Sequence, residues 1–291
     1  MISVRVAPLV VLAAAAALLL PPPATAAAPP EPVAGSVVTF FAHNVAGRTQ
    51  GNNGRVDPVA GDLVRSIRRE QPYAGALNEI CGNQARAVDR RLTGYRVEFF
   101  GKGRACPGGV EFGNAVVIRN GPATRRRVVL PTSEGSRELV CVSRRSSRVA
   151  ACSTHLTAER SRGYDRVAQA KRVAEVTEGY VRRGFATYVG GDFNDQPATN
   201  TLDPMYRPGY GGGAHGIFTE SDGCCGRDGE PTLGTAKFDY GFVSWQWRLL
   251  REGRRRAAQR PRPAVDDGPP QVAAPPAPVR PTSLSEHGCS R

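Results

Sequence analysis

Residues 186–194 read ATYVGGDFN, a strand-like apolar run that leads through two glycines to a carboxylate, Asp192, and an amide, Asn194. Four other stretches share that character: VVTFFAHN (37–44), AGALNE (74–79), VAACSTH (149–155) and KFDYGFVS (237–244). Each contains or ends on a residue able to hold a metal ion or move a proton. A carboxylate in or beside a buried strand costs roughly several kcal/mol unless a cation or a hydrogen-bond network compensates it. Glu79, Asp192 and Asp239 therefore ask for a common partner. A hydrolytic metal site is the simplest answer, because sheet strands can deliver scattered ligands to one shared edge. Taken singly, each polar residue reads equally well as a strand cap or a turn former. The set of five is what points to chemistry.

Residues 1–28 carry Arg5, an apolar stretch from Leu9 to Leu20, Pro21 to Pro23 and then small residues up to Ala28. This is the pattern of a secretory signal peptide, with cleavage expected between Ala24 and Ala28. No later run approaches the ~20 apolar residues of a spanning helix, so the mature chain is expected to be secreted and extracellular, without a transmembrane segment. A proline-rich spacer (29–36) precedes a single expected domain over 37–291. Lys and Arg number 39 against 26 Asp and Glu, a formal charge of +13 that falls to +12 once Arg5 leaves with the leader. Such a charge favours encounter with polyanions, and nucleic acid is the favoured partner. An arginine-, alanine- and proline-rich composition bias explains the same numbers, so charge supports nucleic acid without deciding it. Arginines cluster at 125–127, at 144, 145 and 148, at 182–183 and at 254–256, with few aromatics among them. A stacking platform for single strands is not indicated.

Seven cysteines in an exported chain point to disulfides. Cys141 and Cys152 flank SRRSSR (143–148) at equal distance from a turn at Ser146 and Ser147, so a tight hairpin places them opposite each other. Cys81 with Cys106, and Cys289 with Cys224 or Cys225, are pairings drawn from the remainder, with one cysteine left over. No CxxC or HxxxH spacing supports a zinc site.

Val59, Leu63 and Ile67 recur at helical spacing between Asp57 and Pro72. A strand into Glu79 follows, then a helix over 82–92, strands over 95–100 and 114–119, and the hairpin over 138–155. Thr157 is expected to cap a helix to about Arg183, with Val167, Ala170, Ala174 and Val181 inward. PGYGGGAHG (208–216) lacks the lysine and hydroxyl of a P-loop and reads as a surface loop with a solvated His215. A proline- and arginine-rich insertion over about 253–281 is expected to be disordered. The order of elements predicts a layered α/β sandwich.

GGDFN (190–194), together with ALNE (76–79), STHL (153–156), KFDYGFVS (237–244) and SEH (285–287), resembles the motif series of the endonuclease/exonuclease/phosphatase superfamily, of which deoxyribonuclease I is a familiar member. The resemblance spans residues 37–291 and implies a four-layer α/β sandwich with two central mixed β-sheets. It implies Mg²⁺, with Mn²⁺ or Ca²⁺ as substitutes, at Asn44, Glu79 and Glu286. Asp192 and Asn194 match the pair that orients the attacking water and steadies the phosphate, and His155 matches the histidine on the phosphate. Asp239 matches the aspartate that orients a final histidine, and His287 matches that histidine, the general base. Asn114 and Arg137 are weaker candidates for phosphate contacts, set against a turn asparagine and a solvated arginine.

The chemistry is coherent without the resemblance, since phosphodiester hydrolysis needs an aligned water, a base near neutral pH and positive charge for the phosphoryl oxygens. Oxygen donors favour magnesium over zinc. Two features depart from the superfamily pattern: Ser285-Glu286-His287 stands in place of Ser-Asp-His, and the closing strand expected after that motif is not seen in the sequence. In addition, the proline-rich tract separates the motif from Ser244. Either that tract loops out and His287 returns to the site, or the general base is lost. The leading expectation is a monomeric, secreted, metal-dependent endonuclease acting on DNA, with RNA as a secondary substrate, and with no stable protein partner. A sphingomyelinase-like phosphodiesterase or inositol-phosphate phosphatase is the alternative, and a non-catalytic binding or toxin-like protein is a third.

Overall fold

The apolar alternation of the strand runs builds two sheets. The structure, a computed structural model, describes residues 2–7, 38–133, 135–221, 227 and 229–249. In chain order the elements are β1 (Ile2–Ala7), β2 (Val38–Asn44), α1 (Val56–Glu70), β3 (Ala74–Cys81), α2 (Gly82–Arg91), β4 (Tyr95–Cys106), β5 (Val110–Arg119), β6 (Thr124–Val129), β7 (Glu138–Arg144), β8 (Val149–His155), α3 (Gly163–Arg182), β9 (Ala186–Asp192), β10 (Thr219–Glu220), β11 (Asp239–Val243) and β12 (Arg248–Leu249). One sheet has the order β12-β1-β2-β3-β5-β4 and the other β10-β11-β9-β8-β7-β6. Both are mixed: β2 with β3 and β8 with β9 run parallel, and the other neighbours are antiparallel.

Three apolar clusters define four layers. Phe40, Ala42, Ala76 and Val116 of the first sheet meet Val140, Val142, Ala151 and Tyr188 of the second, with Phe40 stacked on Tyr188 at 4.8 Å between ring centroids. The opposite face of the first sheet, with Phe41, Leu77 and Val117, packs on α1 and α2 through Leu63, Ile67 and Val88. The opposite face of the second, with Cys141, Cys152 and Val189, packs on α3 through Ala170, Val173 and Tyr180. The fold is the α/β sandwich expected. Strands β7 and β8 are buried along their whole length because both faces are covered.

Val59, Leu63 and Ile67 are buried on α1 as their spacing requires. Cys141 and Cys152 are direct partners across the β7–β8 hairpin and form a disulfide, and Cys81 bonds Cys106. The proposed bonds of Cys289 to Cys224 or Cys225 lie outside the described residues. The third helix starts later than expected, at Gly163. Thr157 does not cap it, because the Gln169 side chain occupies both the Thr157 N–H and its hydroxyl, and the Arg166 guanidinium holds the carbonyls of Thr157 and Glu159. Ala170, Ala174 and Val181 are buried, while Val167 is half-buried.

Arg125 to Arg127 turn out to lie in a strand, β6, at the edge of the second sheet. Arg125 pairs with Glu98 and Arg127 with Glu138, so the charges that hid the strand from its apolar pattern also guard the edge. Ile2–Ala7, within the segment read as a leader, pairs antiparallel with β2. No helix among the described residues is long and apolar enough to cross a membrane.

Candidate active site

Five strands bring polar residues to one end of the two sheets. In register, Asn44 lies beside Asn78, His155 beside Asp192, and Asp239 opposite Asp192. These pairings put the ends of β2, β3, β8, β9 and the start of β11 at a common edge.

Glu79 reaches that edge through a bulge. Leu77 pairs with Ala115 but Ile80 pairs with Gly113, so β3 carries one extra residue there. Glu79 takes the left-handed conformation, φ 53°. The bulge keeps Leu77 and Ile80 both in the helix-side core while Asn78 enters the space between the sheets.

The glycines of GGDFN have a steric reason. A Cβ on Gly191 would lie 1.9 Å from the Thr154 carbonyl oxygen, and one on Gly190 would lie 2.8 Å from the Ala76 methyl of the facing sheet. Any larger residue would push Asp192 away from its neighbours.

The side chains then meet. The Asn44 Nδ2 amide donates to Glu79 Oε1 at 2.9 Å and to Asp192 Oδ2 at 3.0 Å, while its Oδ1 accepts from the Ala46 N–H at 3.0 Å. His155 Nε2 stands 3.9 Å from Glu79 Oε1. One donor atom each from Glu79, His155 and Asp192 lie within 4.8 Å of one another, a spacing suited to a shared cation. The other Asp192 oxygen accepts the Asn194 N–H at 2.9 Å, and Asn194, at φ 53°, donates its side chain to the Leu156 carbonyl. Asp239 is buried at the start of β11, its backbone N–H held by Thr232 Oγ1 at 3.0 Å.

Burial draws the Arg137 guanidinium below its ordinary pKa, and the Glu79 and Asp192 carboxylates push it back up. Arg137 thus feels both carboxylates of the cluster. With His155 and Asn114 it lines a cleft of about 450 Å³. Glu286 and His287 lie outside the described residues. His215 is exposed, as expected, with Nδ1 beside the Gly213 carbonyl.

Three features escaped the sequence. Asn78, fully buried, donates to Asn114 Oδ1 (3.1 Å), Ser153 Oγ (3.2 Å) and the Thr154 carbonyl (2.7 Å), and its Oδ1 accepts the Asp192 N–H (3.1 Å). It ties both sheets together directly beneath the cluster. Its position beside Glu79 in ALNE was the only available signal. Lys237 and Glu220 form a buried ion pair at 2.9 Å, with the Tyr206 hydroxyl donating to the same carboxylate. Phe100 and Phe112 line the cleft beside Lys102, whereas the linear sequence shows few aromatics among its arginine clusters.

Comparison with solved structures identifies the architecture. A mannosyl-6-phosphatase from Bacteroides thetaiotaomicron superposes with a TM-score of 0.53 at 15% identity, over 72% of this chain and 85% of that one. A humanized D. rerio TDP2 gives 0.53 at 16% identity, over 70% and 82%. An endonuclease/exonuclease/phosphatase family protein from B. thetaiotaomicron gives 0.52 at 16% identity, over 71% and 80%.

This chain has the endonuclease/exonuclease/phosphatase fold.

No protein-family model and no curated protein matches the sequence. Within the endonuclease/exonuclease/phosphatase fold, the cluster of Asn44, Glu79, His155 and Asp192 sits where the strand ends of both sheets converge. That edge is where open α/β sheets bind ligands.

Proposed function

We propose that this chain is a secreted, metal-dependent phosphodiester hydrolase acting on nucleic acid, working as a monomer. The observation that carries the reading is the convergence of Glu79, Asp192 and His155 within 4.8 Å, from strands of two different sheets, with His155 and Arg137 lining one cleft. Two carboxylates at that separation repel, and a cation relieves the repulsion. Their hard oxygen donors fit Mg²⁺, with Mn²⁺ or Ca²⁺ as substitutes. Glu79 and Asp192 would hold the ion, and Asn44 fixes both carboxylates through its amide N–H groups. When bound, the ion supplies positive charge at the phosphoryl oxygens.

The chain's own residues divide the remaining work. Arg137 draws the phosphate into the cleft, and His155 faces the phosphate and can protonate the leaving oxygen. Asp192, held by the Asn194 N–H, orients the attacking water. Asp239 and His287 are proposed as the orienter and general base, with Glu286 as a further metal ligand. The formal charge of +13 favours a polyanionic substrate.

Supercoiled plasmid tests the proposal. Nicking with Mg²⁺ that stops on adding chelator, and a loss of about 10²- to 10⁴-fold in His155→Ala and His287→Ala, is the expected result. Phosphate release from sugar or inositol phosphates without nicking would replace nucleic acid with a phosphomonoester. No turnover on any phosphoester would leave the chain a binding protein.

A further inference from the structure

The β4–β5 hairpin forms a wall of the cleft that His155 and Arg137 also line, and its register decides what faces the cleft. Phe100 lies opposite Asn114 and Lys102 opposite Phe112. Alternation along each strand puts these four on one face, and all four line the cleft with Arg137 and His155. Both rings are half-buried and Lys102 is exposed. The Arg48 guanidinium lies 4.9 Å from the centre of the Phe112 ring and donates to the Ala105 carbonyl, which holds the ring in place. The Cys81–Cys106 disulfide joins the end of β4 to a position two residues beyond Glu79, so hairpin and acidic cluster share one anchor.

The lining is mixed: the aromatic faces stand beside the cations Lys102 and Arg137, the Asn114 amide, His155 and the Glu138 carboxylate, which Arg127 pairs. An aliphatic chain would need continuous apolar walls, whereas a planar ring with polar edges and an attached phosphate suits this combination. A cleft of about 450 Å³ falls within the ~300–1,000 Å³ of small-ligand sites.

We infer that the β4–β5 hairpin forms a base subsite, in which Phe100 and Phe112 take the face of one unstacked nucleobase next to the scissile phosphate while Lys102 and Arg137 take the adjoining phosphate. This rests on the nucleic-acid reading of the site and adds to it a preference for single-stranded or locally melted strands. A base inside a duplex stack cannot reach the rings without leaving its partner.

The test compares binding, in chelator, of two fluorescein-labelled single strands of equal length and charge, one bearing bases and one abasic. Fluorescence anisotropy should show the base-bearing strand bound about 5- to 100-fold more tightly. Phe112→Leu, which keeps bulk without a π-face, should shrink that gap to under about 2-fold, and Phe112→Trp should preserve it. Lys102→Gln should weaken both strands alike and lower the salt slope by about one. Equal affinity of the wild type for both strands, or an undiminished gap in Phe112→Leu, would overturn the inference. So would Phe112-dependent binding to sphingomyelin vesicles in place of a base preference. Plasmid nicking separates the two proposals. Chelator-sensitive nicking without a base preference removes the subsite and keeps the hydrolase, and a base preference without turnover does the reverse.

Discussion

Replacing Asn78 by Ala should destabilise the protein far more than the loss of one polar side chain suggests. Asn78 is fully buried and makes four hydrogen bonds to β5, β8 and β9. Alanine leaves the Asp192 N–H without its acceptor and removes the donor from Asn114 Oδ1 and the Thr154 carbonyl. Each buried group left unpaired costs about 1–3 kcal/mol. Ser153 retains its bond to the Leu77 carbonyl and offsets little of this. The expected loss is about 3–5 kcal/mol, a large share of the roughly 5–15 kcal/mol that holds a domain folded. Catalysis should fall further than stability implies, because the Asp192 backbone is free to move and a 1 Å displacement of a reacting group costs about 10²-fold. Asn78→Asp keeps the acceptor but loses the donors and adds a buried charge beside two carboxylates, so it should be at least as unstable. Urea unfolding followed by tryptophan fluorescence measures the first effect and plasmid nicking the second. A destabilisation below 1 kcal/mol in Asn78→Ala would refute the idea that this amide joins the sheets.

Lys237→Met should cost about 3–5 kcal/mol in urea unfolding, because it strands the Glu220 carboxylate in the core, and adding Glu220→Gln should recover part of it. The backbone N–H and hydroxyl of Ser133 hold the Asp165 carboxyl below its ordinary pKa, and that contact anchors the loop carrying Arg137. A depressed folded pKa gives stability that is present above the unfolded value of about 3.9 and lost as pH falls through the folded value. Asp165→Asn should therefore melt below the wild type at pH 7, and the gap should close on acidification past about pH 4; a gap independent of pH would count against the ionised contact. Cys141→Ala should lower stability by about 2–4 kcal/mol under oxidising conditions and change nothing once the wild type is reduced.

Much of the architecture was open to reading because it depends on local periodicity. The helical repeat of Val59, Leu63 and Ile67 and the symmetric spacing of Cys141 and Cys152 each specify a local structure on their own. What stayed hidden was set by distant neighbours. β6 is a run of arginines whose strand pairing rests on Glu98 and Glu138, from β4 and β7. The later start of α3 depends on Gln169 and Arg166 folding back over Thr157. Among the site residues, Asn44, Glu79, His155 and Asp192 stood at strand ends and were legible there. Asn78 was not, since its partners lie 36 to 114 positions away.

The order of apolar runs and the polar residues that end them determined the layers and the edge at which chemistry would collect, because burial and strand period act residue by residue. Only the tertiary structure decided how those ends meet. The bulge that turns Glu79, the amide of Asn44 between two carboxylates and the rings of Phe100 and Phe112 beside Lys102 all arise from register between strands far apart in the chain, and register is fixed by packing across sheets rather than by any local pattern.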